Sequence, residues 1–180
     1  MSETKNHTKF RIEPEKIRIF FNLDEREKQR DLLILQSSQK AIENYLDRKL
    51  CLNEYICIQT IKNQKIILEE LNPIKIDRML DLSAREVLVT ECSLKGQNVF
   101  FSNLHLENHE ALIRYNAGFT EENLPADLEE CIMNVFMHKS EVLRKRIKGG
   151  FEANEYSILN NLKIPEDVKE ILEPYRRKLL

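Results

Sequence analysis

The sequence predicts an α+β protein, mainly α, in which a bundle of three to four main helices carries an inserted antiparallel β-hairpin or small sheet. Apolar side chains recur at spacings of three and four over residues 25–49, 125–148 and 165–178, the period of a one-sided helix. Residues 55–117 instead break into short runs rich in Ile, Val, Leu and aromatic side chains, separated by turn residues. The two patterns are segregated along the chain, which argues against an alternating βαβ sheet. With 180 residues the chain is long enough for one hydrophobic core. A single domain is expected over 10–180, behind a mobile arm at the polar, aperiodic residues 1–9.

In chain order, Pro14 opens either a short helix through residues 15–23 or a strand, since Ile17, Ile19 and Phe21 also alternate. Asp24 and Glu27 match the D-x-x-E pattern that caps a helix. In the helix that follows, Leu35, Ser38, Ile42, Tyr45, Leu46 and Leu50 share a face, and Arg30, Lys40, Glu43, Asp47 and Arg48 fall largely off it. YICIQTI, KIILEEL, IKIDRML, EVLVTECSL, NVFF and LIRY then read as strands of a small antiparallel sheet or of long hairpins.

The last of these runs alternates Ile113, Tyr115 and Ala117 with Arg114 and Asn116, as a half-buried strand does, and Gly118 suits a turn needing positive φ. Pro125 fits the first turn of the next helix, with Asn123 as cap and Asp127, Glu129 and Glu130 near its positive end. Leu128, Cys131, Ile132, Val135, Met137 or His138, Val142, Leu143 and Ile147 form its stripe, which Gly149-Gly150 ends. Residues 151–163 read as irregular. Ile164-Pro165 opens a final helix whose face holds Val168, Ile171, Leu172 and Tyr175 and whose end carries Arg176, Arg177 and Lys178. Pro174 is expected to kink or stop it near Glu173.

A net charge of −2 argues against a dedicated nucleic-acid binder, so any DNA contact is local or weak. Cys51, Cys57, Cys92 and Cys131 form no CxxC pair and follow no secretory signal, so reduced thiols in a cytosolic compartment are expected. No apolar run approaches the ~20 residues of a membrane helix. Phosphate-cradling, dinucleotide and nucleophile-elbow glycine motifs are absent, and the chain holds only four glycines. His105 and His109 are spaced H-x-x-x-H, but on an extended or loop segment with no third ligand, and read as solvated. No enzyme, cofactor or metal is expected. Two basic clusters stand out: Lys139, Arg144, Lys145, Arg146 and Lys148, and the terminal Arg176, Arg177 and Lys178. Both suit helix C-termini. A local contact with a nucleic-acid backbone or an acidic partner is the alternative reading.

Tyr115-x-Ala117-Gly118-Phe119, followed by Leu124-Pro125-x-Asp127-Leu128 leading into a long helix, resembles the strand-to-helix junction of phage head-tail connector (adaptor) proteins, also called head completion proteins, of long-tailed phages and prophages. Ile42, Glu43, Tyr45, Leu46 and Arg48 resemble the family's first core helix, Pro73 its strand–proline–strand bend, and Pro165, Val168, Leu172, Pro174 and Tyr175 its C-terminal helix. The likeness spans residues 14–177; residues 83–112 depart from it in being longer and more polar.

The resemblance implies a structural virion protein with no enzymatic step. Copies of it, about a dozen, would form a ring under the portal and extend the DNA channel. Its partners would be other copies of itself, the portal protein, a downstream neck or tail-completion protein and, weakly and without sequence preference, passing double-stranded DNA. It would reside in the virion neck after assembly in the host bacterial cytoplasm, with no membrane contact. Tyr115, Gly118, Pro125, Asp127, Pro165 and Tyr175 carry the family motif, and the two basic clusters become candidate portal or channel contacts. The arm 1–9 and residues 149–163 are candidates for ordering on assembly. A stand-alone cytosolic α+β interaction module, or a DNA-associated regulatory one, is the alternative.

Overall fold

Helix α1 (Lys28–Leu46) buries Leu35, Ser38, Ile42 and Leu46 of the face its spacing predicts, but also Ile34 and Glu43, which the spacing left off that face, while Tyr45 is only half-buried. The computed structural model describes residues 28–83, 92–102, 104–120, 122–148 and 155–177, together with Ile19, which is helical and exposed. The mobile arm, the rest of the segment around Pro14, the Asp24/Glu27 cap, most of EVLVTECSL, Gly149-Gly150 and Lys178 lie outside these residues. The chain divides into two units, one of Met1–Asp47 with Glu121–Arg176 and one of Arg48–Thr120 with Arg177–Leu180.

The first unit is helical. Besides α1 it holds α2 (Ala126–Lys148), α3 (Glu155–Asn161) and α4 (Glu166–Leu172). Helix α2 packs against the other three, and α1 also touches α3. Leu128, Cys131, Ile132, Val135, Phe136 and Leu143 line the buried face of α2, facing Ile158, Leu159, Val168 and Leu172 as the remaining core. Burying each such side chain contributes roughly 1.5–3 kcal/mol.

The ends of these helices depart from expectation for identifiable reasons. Helix α1 stops at Leu46, short of 49, because Asp47 turns left-handed at φ 52. Leu50, expected on its stripe, is buried in the second unit. Helix α2 begins at Ala126, so Pro125 stands one residue outside it, and its carbonyl accepts the Glu129 N–H at 3.0 Å. Pro165 does the same for α4 through Lys169, at 3.1 Å. Each proline is thus a cap that supplies the first helical acceptor, not the first helical residue. Pro174 has no N–H to continue the ladder, so α4 ends at Leu172 and passes into a 3₁₀ turn, Glu173–Tyr175. The basic tail therefore does not finish a helix: Arg176 is extended, at φ −66 and ψ 142. Within the stretch read as irregular, α3 forms where Ile158 and Leu159 are buried side by side.

The second unit holds β1 (Asn53–Thr60), β2 (Lys65–Ile67), β3 (Pro73–Asp81), β4 (Cys92–Lys95), β5 (Asn98–Phe101) and β6 (Glu110–Ala117). These form two antiparallel three-stranded sheets, ordered β1-β6-β3 and β2-β5-β4. The plan differs from long hairpins because β6 slots between β1 and β3, strands far from it in sequence. Tyr115 thereby lies opposite Tyr55 on one side and Ile76 on the other. The β4–β5 pair is a tight hairpin turned at Gly96, φ 57, and a second tight turn at Asn63-Gln64, both at positive φ, bridges Lys62 to Lys65. The predicted strand at KIILEEL stops at Ile67. Ile66, Val99 and Phe101 of one sheet join Met79, Ala111, Ile113, Tyr115 and Ala117 of the other in a shared core.

Candidate functional site

The motif residues fall into two groups. In the second unit Tyr115 is buried and its ring stacks on that of Tyr55, centroids 5.7 Å apart. Burial drives the Tyr115 phenol well above its ordinary range. Three residues on, Gly118 has φ 114, and a Cβ there would sit 2.3 Å from the Cys51 carbonyl oxygen. Its N–H donates to Leu71 at 2.9 Å and its carbonyl accepts from the Asn72 side chain at 2.8 Å. No other residue fits this close crossing of backbones.

In the first unit Asp127 and Tyr175 meet: the phenol donates to Asp127 Oδ2 at 2.6 Å, while Asp127 Oδ1 accepts the Leu128 N–H at 2.9 Å. Burial, reinforced by this hydrogen bond, pushes the Tyr175 phenol up to about 12. Asp127 therefore links the start of α2 to the turn after α4. A second tyrosine works alongside: Tyr45 donates to Glu173 Oε2 at 2.9 Å, and the Arg176 guanidinium lies 5.3 Å from the Tyr45 ring centroid.

The basic clusters divide more sharply. Lys139 is not on the surface at all, being 1% exposed. Its Nζ donates to the Ser37 carbonyl at 3.0 Å, Ser37 Oγ at 2.7 Å and the Leu159 carbonyl at 2.9 Å. The Leu159 carbonyl lies in the last turn of α3, where the helix supplies no partner, so the ammonium caps α3 and ties it to α1. Burial lowers the Lys139 pKa to about 8. Spacing places Lys139 on the α2 stripe, four residues from both Val135 and Leu143, but its charge made it read as a surface residue.

Arg144 and Lys145 are exposed on α2. Arg146 and Lys148 also belong to α2, but their side chains lie outside the described set, as does Lys178. Arg177 pairs with Glu69 at 3.4 Å and with the buried Glu70, and Arg48 donates to the Glu69 carbonyl. The terminal arginines are thus engaged within the chain.

His109 is not simply solvated. Its Nδ1 lies 2.7 Å from Oδ2 of Asp81, a carboxylate only 1% exposed whose Oδ1 accepts the Ser83 N–H. His105 is exposed. Among the described residues no three His, Cys, Asp or Glu side chains converge to hold a metal. All four cysteines are free thiols, and burial raises Cys57 and Cys131 to about 11, which leaves them poor nucleophiles. Among the described residues no helix is long and apolar enough to cross a membrane.

The architecture matches solved particles. The chain is similar to a protein in the neck of an empty GTA particle computed with C6 symmetry, at 14% identity, TM-score 0.58, covering 94% of this chain and 91% of that one. It is similar to one in the neck of the native GTA particle computed with C12 symmetry, at 13% identity, TM-score 0.52, covering 94% and 93%. A chain of the virion of the native gene transfer agent matches at 14% identity, TM-score 0.51, covering 94% and 91%. No match was found among curated proteins. The family model for head completion proteins matches residues 12–178, and the chain belongs to that family.

Proposed function

We propose that this head completion protein is a structural head-tail connector of a phage-like virion, assembling as a ring under the portal and extending the DNA channel toward the tail. The observation that carries the reading is the family match over residues 12–178, supported by a fold shared with neck proteins of particles treated with sixfold and twelvefold symmetry. The role is structural and non-enzymatic. Closed cyclic symmetry requires one face of each copy to meet a different face of the next. A net charge of −2 suits a channel that lets DNA slide without gripping it. Among the described members of the basic clusters, Arg144 and Lys145 are exposed on α2 and would meet the portal or the DNA.

Light scattering of the purified protein, alone and mixed with its cognate portal protein, tests the reading. A ring-sized species in either sample is the expected result. A small species in both, with no association, overturns it.

A further inference from the structure

The outer face of the β1-β6-β3 sheet carries an aliphatic strip. Leu112 on the central strand lies opposite Ile58 on β1 and Leu80 on β3. Ile56 is one step along the same face of β1. Ile56 and Ile58 are 60% and 58% exposed, a large apolar area to leave in water on neighbouring outward positions. Leu52, just before the strand, is 43% exposed.

The two edges of this sheet are built differently. Strand β3 starts at Pro73, carries Lys75 and Arg78, and has two register irregularities against β6, the devices that stop an edge from pairing with another chain. Strand β1, Asn-Glu-Tyr-Ile-Cys-Ile-Gln-Thr, has no proline, lysine or arginine and holds an unbroken eight-residue register with β6. Among the described residues it pairs on that side alone. One edge is guarded; the other is smooth and turns Ile56 and Ile58 outward beside a single charge, Glu54.

We propose that the β1 edge, with the strip Ile56, Ile58 and Leu112 beside it, is the surface on which a neighbouring copy of this chain docks in the ring. The inference rests on the connector reading above. The area identifies the occupant. Three strands about 4.8 Å apart and eight residues long present a face of roughly 400 Å², half of the ~800 Å² per partner that a stable two-body complex buries. Such a contact is too small to hold an isolated pair. It suits a closed ring, where every copy is held on both sides and the contact repeats at each junction. Within the strip, Glu54 is paired with Arg114 at 3.2 Å, so docking there leaves no charge of that pair unmatched.

The test is Ile58→Glu, together with Ile56→Glu, in the full chain. Both side chains point to water, so each variant should keep the wild-type far-UV spectrum and melting temperature. The expected result is that each variant stays small, alone and with portal, under conditions where wild type forms rings, while Leu33→Glu, at an apolar residue 39% exposed on α1 of the other unit, forms rings normally. Rings of normal size from Ile58→Glu and Ile56→Glu overturn the proposal and leave the connector reading standing. Normal rings that no longer recruit a tail-side protein also overturn it, assigning the strip to that protein. If wild type itself forms no ring with or without portal, the connector reading fails and this inference falls with it.

Discussion

The Tyr175 hydroxyl donates to Asp127 Oδ2 at 2.6 Å, joining residues 48 positions apart that belong to two separate motif segments. A strand-to-helix junction and a C-terminal proline–tyrosine turn are therefore one structural device. Pro174 ends α4 so that Tyr175 leaves the helix in a 3₁₀ turn, and Pro125 starts α2 so that Asp127 stands in its first turn.

Tyr175→Phe keeps the ring and removes the bond, and should cost about 1 kcal/mol of stability, read by urea unfolding. The pH dependence has a definite sign. The folded phenol is pushed up to about 12, above its ordinary 10. Its contribution is therefore whole below pH 10 and fades as pH rises toward 12. The stability gap between wild type and Tyr175→Phe should close across that window; a gap that is constant with pH would mean that neither burial nor Asp127 holds the folded phenol above its ordinary range.

Lys139 acts in the opposite direction. Burial lowers it to about 8, below its ordinary 10.5, while its ammonium donates to the Ser37 carbonyl, Ser37 Oγ and the Leu159 carbonyl. Between pH 8 and 10.5 the unfolded chain holds a proton the folded one has released, so its contribution to stability rises with pH. At pH 7 the full cost of burying the charge is present, at most about 3 kcal/mol. Wild type measured against Lys139→Met should gain stability relative to the variant from pH 7.5 to 9.5. Loss of the ammonium also uncaps α3, so amide exchange over residues 155–161 should quicken in the variant.

Gly118→Ala should be the most damaging small substitution. The added Cβ meets backbone, 2.3 Å from the Cys51 oxygen and 2.6 Å from its carbon, at a φ of 114 that alanine rarely adopts. Neither clash is with a side chain that can swing away. A loss of at least about 2 kcal/mol is expected, visible as a lowered melting temperature, whereas Gly96→Ala has open space around it and should cost less.

Period and punctuation made much of the fold legible. Ile113, Tyr115 and Ala117 are buried and Arg114 is exposed, as alternation requires, and Pro174 ends its helix where its missing N–H dictates. Pairing was not legible, because nothing local in β6 records that its neighbours are β1 and β3. Buried polar side chains were hidden for a related reason. Asp81, Glu70 and Lys139 resemble surface charges in the sequence, and only distant partners, His109, Arg177 and Ser37, make their burial tolerable. Helix α3 was missed because seven residues with one apolar pair show no period.

The exposed pair Arg144 and Lys145 separates the two readings of the basic cluster. As favourable charges near the C-terminal end of α2, each contributes about 0.3–1 kcal/mol to stability and nothing to assembly. As a contact with the portal or with DNA, the pair is exposed to partners and its effect is salt-dependent. Arg144→Glu with Lys145→Glu should then leave the far-UV spectrum intact and reduce portal association or DNA retention roughly tenfold at low salt. The difference from wild type should shrink as salt is raised. Binding that is unchanged while the melting temperature falls would assign both side chains to the helix end. No other described side chain of the two clusters would then be available for the portal or channel contact, because Lys139 is buried and Arg176 and Arg177 are engaged within the chain.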